Sequence, residues 1–334
     1  LRKYHQPHSI DVTAQSHSLP TFDGEDFPST ELGIWEAPVD LGNLHLPQRL
    51  SPVSDQWVLA NESVAIEEML NFKNLGGTTI VDVTNIGLKR DPEGLKRVSE
   101  ATGINIIMGT SWYQKIFHPY DMYKRTVEDM TQELVRDVTY GVRETGIRSG
   151  IIGEVGVNGD PITLNEEKSI RASARASLIT GSSITFHLNP QASLGTEKHD
   201  VLNMVEEEGA DLTRVVLGHC NSIANDLTLM QELLDRGIYI EFELVGQTQA
   251  FNPSVVKICA EAVPILIEAG YVGKVLLSQD VCIKTHLKQY GGPGYTYMQE
   301  SFIPHLKTLG VDDLDIKHIF MENPKQLLPF VEGE

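Results

Sequence analysis

From Ser63 onward, short runs of apolar, mostly β-branched residues alternate with longer stretches whose apolar positions recur at helical spacing. This alternation favours βα units and a parallel sheet. Glycines such as Gly181 and Gly209 stand just past helical stretches, where a helix C-cap is expected. The predicted strands are 78–84, 104–110, 150–157, 183–188, 215–220, 238–243 and 275–280, and the predicted helices include 63–75, 168–180, 200–208, 227–236 and 253–269.

The predicted fold is an α/β fold, a (β/α)8 TIM barrel with its first strand missing. Seven strands are clear, whereas a closed barrel has eight. The missing strand would precede Ser63, where the sequence contains many prolines and histidines and shows no sustained period. We therefore predict an N-terminal tail and cap with an incomplete first strand over 1–62 and a barrel over 63–334. A Rossmann-type fold is the main alternative, weakened because no early strand is followed by G-x-G-x-x-G.

The composition and charge of the chain indicate which partners and which cellular compartment to expect. The chain has 27 Lys and Arg against 46 Asp and Glu, a net charge of −19, so nucleic acid and anionic membranes are not expected partners. A hydrophobic share of 41% allows a large core, and no apolar run reaches the roughly 18 residues that a membrane span needs. The three cysteines form no C-x-x-C pair, and the N-terminus lacks a signal-peptide layout. These features predict a soluble cytoplasmic protein.

Four predicted strands end in a side chain that can bind a metal. Glu154 ends GIIGE, His187 ends SITFH, His219 ends VVLGH and Asp280 ends VLLSQD. Each alone has a simpler explanation, such as a structural hydrogen bond, a helix N-cap or a buried ion pair. In a parallel barrel, however, the carboxyl ends of all strands open at one mouth, so the four side chains would converge. Two imidazoles and two carboxylates suit Zn²⁺, Mn²⁺ or Fe²⁺.

Longer motifs resemble the phosphotriesterase-like branch of the amidohydrolase superfamily. GIIGEVGV, SITFHL, VVLGHCN and VLLSQDVCIK stand in that branch's order, and NPKQLL is similar to its closing helix. GGTTIVDVTNIGLKRDPEGLKRVSEATGINIIMGT is similar to its second and third βα units. The resemblance spans about residues 55 to 328 and implies a metal-dependent hydrolase built on a TIM barrel.

The resemblance also implies roles for matching residues. Glu154 matches the fourth-strand acid that bridges two metals, where many relatives have a carbamylated lysine. His187 and His219 match the fifth- and sixth-strand ligands of the more exposed metal. Asp280 matches the eighth-strand carboxylate that binds the buried metal and takes a proton from the attacking water, and Tyr113 matches an aromatic residue lining the substrate cavity. The implied cofactor is a divalent metal, with Zn²⁺ first, as one or two ions, and Mn²⁺ or Fe²⁺ as alternatives.

One part of the family's pattern is absent. Relatives have an H-x-H pair on the first strand, but here FPSTELG, which is similar to the lead-in to that strand, runs directly into IWEAP. His45 has no H-x-H partner. The Gly33–Ile34 junction fits a loss of about thirty residues, the size of one βα unit. Either the protein has a segment that these residues omit or the chain truly lacks it. We favour the first, because two unpaired strand edges in a barrel would leave buried backbone groups without partners.

The loop after Asp280 supplies Lys284, His286 and Tyr290 as candidate substrate-binding residues, although an ordinary solvated loop explains them equally well. A lysine here suits an anionic small molecule. We predict a hydrolase that uses a metal-activated water on a lactone or carboxylic ester. A phosphotriester or phosphodiester hydrolase comes second and an N-acyl amidase third. A catalytically impaired ligand-binding barrel follows if the H-x-H strand is truly absent. The oligomeric state stays open, with a homodimer as one option.

Overall fold

The computed structural model describes residues 57–159, 161–189, 196–246 and 254–333, and the structural statements below concern those ranges. Nearly all of the predicted N-terminal cap lies outside them. His45 and the Gly33–Ile34 junction lie outside them as well. The missing H-x-H strand therefore stays a prediction from the sequence.

Seven strands form one parallel sheet in which each strand pairs with the next along the chain. Each observed strand lies within the corresponding predicted one, so the predicted α/β class and the count of seven strands are confirmed. The strands are β1 (Thr79–Asp82), β2 (Asn105–Thr110), β3 (Ile151–Gly156), β4 (Ile184–His187), β5 (Val215–Leu217), β6 (Tyr239–Phe242) and β7 (Val275–Leu277).

Helices precede β1, separate successive strands and follow β7, as βα units require. Those before β7 are α1 (Glu62–Asn74), α2 (Pro92–Thr102), α3 (Val127–Thr139), α4 (Leu164–Thr180), α5 (Thr196–Glu207), α6 (Leu227–Leu234) and α7 (Ser254–Glu268). After β7 come α8 (Ile303–Thr308), α9 (Asp313–Lys317) and α10 (Asn323–Leu327), with π-helical turns at Met298–Phe302 and His318–Glu322.

Local sequence signals explain where several helices begin and end. Helix α4 begins with a capping box, in which Thr163 caps the backbone of Glu166 and the Glu166 carboxylate accepts the N–H of Thr163. It ends at Gly181, which takes the left-handed conformation with φ 69°. A Cβ on Gly181 would lie 1.9 Å from the carbonyl oxygen of Val331, so glycine is required there on two counts.

Strand β1 is more exposed than the middle strands of the sheet, whereas the other edge strand, β7, is fully buried. Every residue of β3, β4 and β5 is buried, as expected for parallel strands covered on both faces. In β1 only Asp82 is buried, and Val81 is 40% exposed. Within the described ranges, β1 and β7 each pair with one neighbour only. The sheet is thus a curled half-barrel whose wall these seven strands close in part.

Candidate metal centre

The carboxyl ends of the strands bring the four predicted ligands to one edge of the sheet. Glu154 lies in the second half of β3, and His187 is the last residue of β4. His219 comes two residues after β5, and Asp280 comes three residues after β7. Because all these strands are parallel, their carboxyl ends share one side, and this is where barrel enzymes carry their active sites.

A local irregularity of β3 sets the position of Glu154. The pairing register between β3 and β4 shifts between Ile152 and Val155. Gly153 has φ 139°, and a Cβ there would lie 2.5 Å from the carbonyl oxygen of Thr185. The buried side chain of Asn85 donates a hydrogen bond to the Glu154 carbonyl oxygen at 2.5 Å. The backbone around Glu154 is therefore fixed by the neighbouring strand β4 and by the loop that follows β1.

His219 and Asp280 share an uncommon backbone conformation. Their φ angles are 53° and 47°, in the left-handed region that side chains with a Cβ seldom adopt. Such a conformation costs on the order of 1 kcal/mol per residue and is concentrated at functional sites. In both cases it turns the chain sharply just after a short buried strand, which aims the side chain across the strand ends.

Three donor atoms meet at the first candidate metal position. Nε2 of His219 lies 2.8 Å from Nδ1 of His187, which lies 2.9 Å from Oε1 of Glu154. The remaining separation, between His219 and Glu154, is 3.9 Å. Ligands around a tetrahedral zinc ion lie about 3.4 Å apart, a value inside this range. Facing imidazole lone pairs repel unless a proton or a cation lies between them, so the donor set fits a divalent metal.

A second group of donors shares His219 with the first. It consists of His219, Glu243 and Asp280, whose ligand atoms all lie within 4.8 Å of one another. Oε2 of Glu243 is 3.0 Å from Nδ1 of His219, on the side of the ring opposite His187. A carboxylate at this distance favours a proton on Nδ1, the imidazole tautomer that leaves Nε2 available to a metal. Asp280 thus joins the other predicted ligands through His219.

Glu241 lies on β6, two residues before Glu243, and the two carboxyl groups share a hydrogen bond. Burial, and then the neighbouring charge of Glu243, raise the pKa of Glu241 well above its ordinary value. Gly218 makes room for Glu243, because a Cβ there would lie 2.6 Å from Oε1 of Glu243. The sequence analysis did not single out Glu243, although it ends the predicted strand 238–243 just as the four chosen residues end theirs.

The loop after β2 covers His187. Its predicted substrate-lining residue, Tyr113, has its hydroxyl 3.2 Å from Nδ1 of His187, and the two rings meet edge to face with centroids 4.6 Å apart. Gln114, which the sequence analysis also missed, places its side-chain amide 2.6 Å from Nε2 of His187. Tyr113 therefore lies at the candidate centre, and Gln114 contacts the nitrogen of His187 that faces away from Glu154.

The other predicted substrate-binding residues lie in the loop that follows β7. Nζ of Lys284 is 5.8 Å from the centre of the Tyr290 ring, and both side chains are half-buried. His286 is 5% exposed, and its Nδ1 accepts the N–H of Cys282 at 3.3 Å. Lys284 and Tyr290 are therefore accessible for binding, whereas His286 supports the turn.

The structure describes all three cysteines of the chain. Cys220, Cys259 and Cys282 are all buried, and they form no disulfide bond among the described residues. Burial raises the pKa of Cys220 to about 12, so its thiol is neutral.

In the part of the chain that the structure describes, no helix combines the length and the apolar character that crossing a membrane requires.

Comparison with known proteins places this geometry in a family. The phosphotriesterase family matches residues 52–328. N-acetyltaurine hydrolase from Dictyostelium discoideum is 34% identical over 312 residues, which cover 88% of this chain and 82% of that protein. The crystal structure of a resiniferatoxin-binding protein from Rhodobacter sphaeroides superposes with a TM-score of 0.83 at 33% identity, covering 91% of this chain and 88% of the other.

A second solved structure, the phosphotriesterase homology protein from Escherichia coli complexed with phosphate in its active site, has a TM-score of 0.77 at 29% identity. It covers 88% of this chain and 96% of that protein. The predicted family resemblance is thereby confirmed. The chain belongs to the phosphotriesterase family of the amidohydrolase superfamily and is a metal-dependent hydrolase.

Proposed function

We propose that the chain hydrolyses the amide bond of a small N-acyl compound that carries a sulfonate or carboxylate. One observation carries the proposal: a donor cluster fit for a metal lies at the strand ends of a chain whose relatives include several N-acetyltaurine hydrolases. Proteins of that name from Xenopus tropicalis, Bos taurus and Homo sapiens are 32%, 31% and 30% identical to it. N-acetyltaurine is an N-acyl sulfonate, which agrees with the anionic substrate expected from Lys284.

Glu154, His187 and His219 are the residues that would hold the metal, and Zn²⁺ is the ion we propose. When bound, a divalent ion supplies Lewis acidity that polarises the amide carbonyl and lowers the pKa of water. Glu243 keeps the ring of His219 in the tautomer whose Nε2 faces His187. The low exposure of these side chains, from 1% to 6%, limits competition from bulk water.

Asp280 is the proposed general base. It belongs to the second donor group, whose ligand atoms lie within 4.8 Å of one another, and it is half-buried. In the proposed reaction Asp280 takes one proton from the attacking water and gives it to the amide nitrogen as the C–N bond breaks. The products are a carboxylic acid and a free amine. Proton transfer to nitrogen is needed because the nitrogen would otherwise leave as an amide anion, which is a very poor leaving group.

Lys284 is the proposed partner of the substrate's acidic group. Its Nζ lies beside the Tyr290 ring in the loop that begins at Asp280. An ammonium group pairs with a sulfonate or carboxylate through charge-assisted hydrogen bonds. The Tyr290 ring limits where that ammonium can point, so the acidic end of the substrate would lie toward this loop and the acyl end toward His187.

A hydrolysis screen tests the function. Protein reconstituted with Zn²⁺ or Mn²⁺ is offered N-acetyltaurine, N-acetylated amino acids, lactones, carboxylic esters and phosphotriesters, with Asp280→Asn as the control for contaminating activity. We expect acetate release from N-acetyltaurine with a kcat/KM at least about tenfold above that of a neutral N-acetylamine. Faster turnover of a lactone, ester or phosphotriester would instead support the other predicted reactions. If nothing is turned over, the ligand-binding interpretation gains.

The acidic-group assignment has its own control. Lys284→Gln should raise KM for N-acetyltaurine about tenfold and leave KM for the neutral N-acetylamine within about twofold. Lys257→Gln removes the same charge from an exposed position on α7, where Lys257 pairs only with the exposed Glu261 among the described residues. It should change neither KM. Equal effects of the two substitutions would contradict a specific role for Lys284.

A further inference from the structure

Glu68 of α1 buries its carboxylate against the backbone of the loop that follows β7. The residue is 2% exposed, although its neighbour Glu67 is exposed. Oε1 of Glu68 accepts the N–H of Lys288 at 2.6 Å, and the backbone N–H groups of Gln289 and Tyr295 also face this carboxylate and lower its pKa. One side chain from the first helix thus binds the backbone of a loop 220 residues later in the chain.

The same loop is also tied to its own first residues, just after β7. The side-chain amide of Gln279, which directly precedes Asp280, donates to the carbonyl oxygen of Gly294 at 2.5 Å. Gly294 has φ 65°, and a Cβ there would lie 2.7 Å from Oε2 of Glu68. The turn around Gly294 is therefore enclosed between Glu68 on one side and Gln279 on the other. Between these tethers the loop carries Lys284 and Tyr290.

Burying a carboxylate costs a desolvation free energy that apolar packing between two elements would not cost. Burial raises the pKa of Glu68, and the loop amides oppose that rise. The ammonium of Lys288 pairs with Glu300 at 2.8 Å. The main described partners of the Glu68 carboxylate are therefore backbone N–H groups, whose positions define the path of the loop. A charge-assisted hydrogen bond from a carboxylate to the loop backbone fixes that path more closely than apolar contact would.

We propose that Glu68 is a positioning residue that anchors the loop after β7 and so holds Lys284 and Tyr290 where the acidic end of the substrate binds. Its effect on substrate binding rests on the proposed function, whereas its effect on the loop does not. Glu68 acts through the loop backbone and contacts no donor of the candidate metal centre among its described contacts. Its loss should therefore weaken recognition of the substrate more than the chemical step.

The experiment compares Glu68→Ala and Glu68→Gln with Glu67→Gln as the exposed neighbour control. Trypsin cleavage at Lys284 and Lys288 is followed by mass spectrometry under native conditions, which needs no substrate. We expect cleavage there to accelerate about tenfold in Glu68→Ala, and less in Glu68→Gln, which keeps one acceptor oxygen. Cleavage at sites outside the loop should stay unchanged, and Glu67→Gln should behave as the wild type throughout.

The second measurement separates positioning from general stability. For whichever anionic substrate the screen identifies, Glu68→Gln should raise KM about fivefold to tenfold and change kcat less than about threefold. KM for the neutral analogue should move by less than twofold. Unchanged cleavage at Lys284 and Lys288 would overturn the proposal, whatever the substrate. Faster cleavage with an unchanged KM, or with an equal rise for both substrates, would also overturn it. If the screen finds no substrate, the affinity for taurine, measured by calorimetry, takes the place of KM.

Discussion

Nε2 of His219 lies 2.8 Å from Nδ1 of His187, and both imidazoles are almost fully buried. Without a cation, this contact requires one ring to donate a proton to the other. With a cation bound, both rings present lone pairs to the same ion, and Glu154 supplies a compensating negative charge from 2.9 Å away. The stability of this histidine pair therefore depends on whether a proton or a cation lies between the two nitrogen atoms.

Replacing His187 by asparagine should remove the metal ion bound at the candidate centre. For the wild type, Zn²⁺ at a thousand times its dissociation constant should stabilise the fold by about 4 kcal/mol and raise Tm accordingly. His187→Asn should lose that response and most of the bound metal, as measured by elemental analysis after dialysis. His305→Asn changes an exposed histidine on α8 and serves as the control. A full metal content in His187→Asn would contradict the assigned centre.

Asp280→Asn should abolish turnover and spare the fold. The substitution keeps the shape of the side chain but removes the proton acceptor, a change that costs about 10² to 10⁴ in kcat for a general base. Because Asp280 is only half-buried, Tm should stay close to that of the wild type. The exposed Asp200 on α5 supplies the control, Asp200→Asn. If Asp280→Asn keeps more than a few per cent of the wild-type kcat, another group is the base.

Glu243→Gln should weaken metal binding without removing a strand-end histidine. The carboxylate 3.0 Å from Nδ1 of His219 holds that ring, and loss of such a support lowers metal affinity about 10- to 100-fold. Competition with a chromogenic chelator measures the affinity directly. Glu261→Gln, on the exposed face of α7, is the matched control.

A second substitution tests the same support without touching the carboxylate itself. Gly218→Ala would place a Cβ 2.6 Å from Oε1 of Glu243 and should weaken metal binding in the same direction. A Cβ at this position would also lie 2.6 Å from the carbonyl oxygen of Phe186, so the effect of Gly218→Ala should shrink only in part when Glu243 is already glutamine. If the losses of metal affinity in the two single variants add up fully in the double variant, Gly218 acts through a contact other than Glu243.

The sequence predicted the strand-end residues because the alternation of strands and helices determines where parallel strands end. Once β3, β4 and β5 are recognised, Glu154, His187 and His219 must lie near one another. The same reasoning applies to IYIEFE, where Glu241 and Glu243 alternate and so face the same side of β6. Only the three-dimensional structure shows that Glu243, rather than Glu241, reaches the ring of His219.

Contacts made by loops were not predictable in this way. Gln114 follows β2 in a segment without periodicity, so nothing in the sequence indicates its position beside His187. Glu68 falls on an ordinary amphipathic helix, and its partner Lys288 is 220 residues away. Such contacts depend on how the curled sheet brings α1 close to the loop after β7, which is a property of the packed fold and not of any local pattern.

Away from the candidate centre, a charged cluster joins α4 to the residue that follows α5. Glu208 accepts hydrogen bonds from Nε of Arg175 at 2.5 Å and from Nη1 of Arg171 at 3.0 Å, and its side chain is only 11% exposed. The hydrogen bond from Arg175 lowers the pKa of Glu208 below its ordinary value of 4.5. Glu207, which bonds only to Arg171 among the described residues, is 60% exposed.

Glu208→Gln should therefore destabilise the fold by about 1 kcal/mol at pH 7. A carboxylate whose pKa is lower in the folded state stabilises it fully above pH 4.5 and loses this contribution as the pH falls through the folded-state pKa. The difference between Glu208→Gln and the wild type should accordingly shrink below pH 4.5, as measured by urea unfolding at a series of pH values. Glu207→Gln should lie within a few tenths of a kcal/mol of the wild type at every pH, because an exposed single ion pair contributes little. A pH-independent loss in Glu208→Gln would mean that its packing, and not its charge, stabilises the junction of α4 and α5.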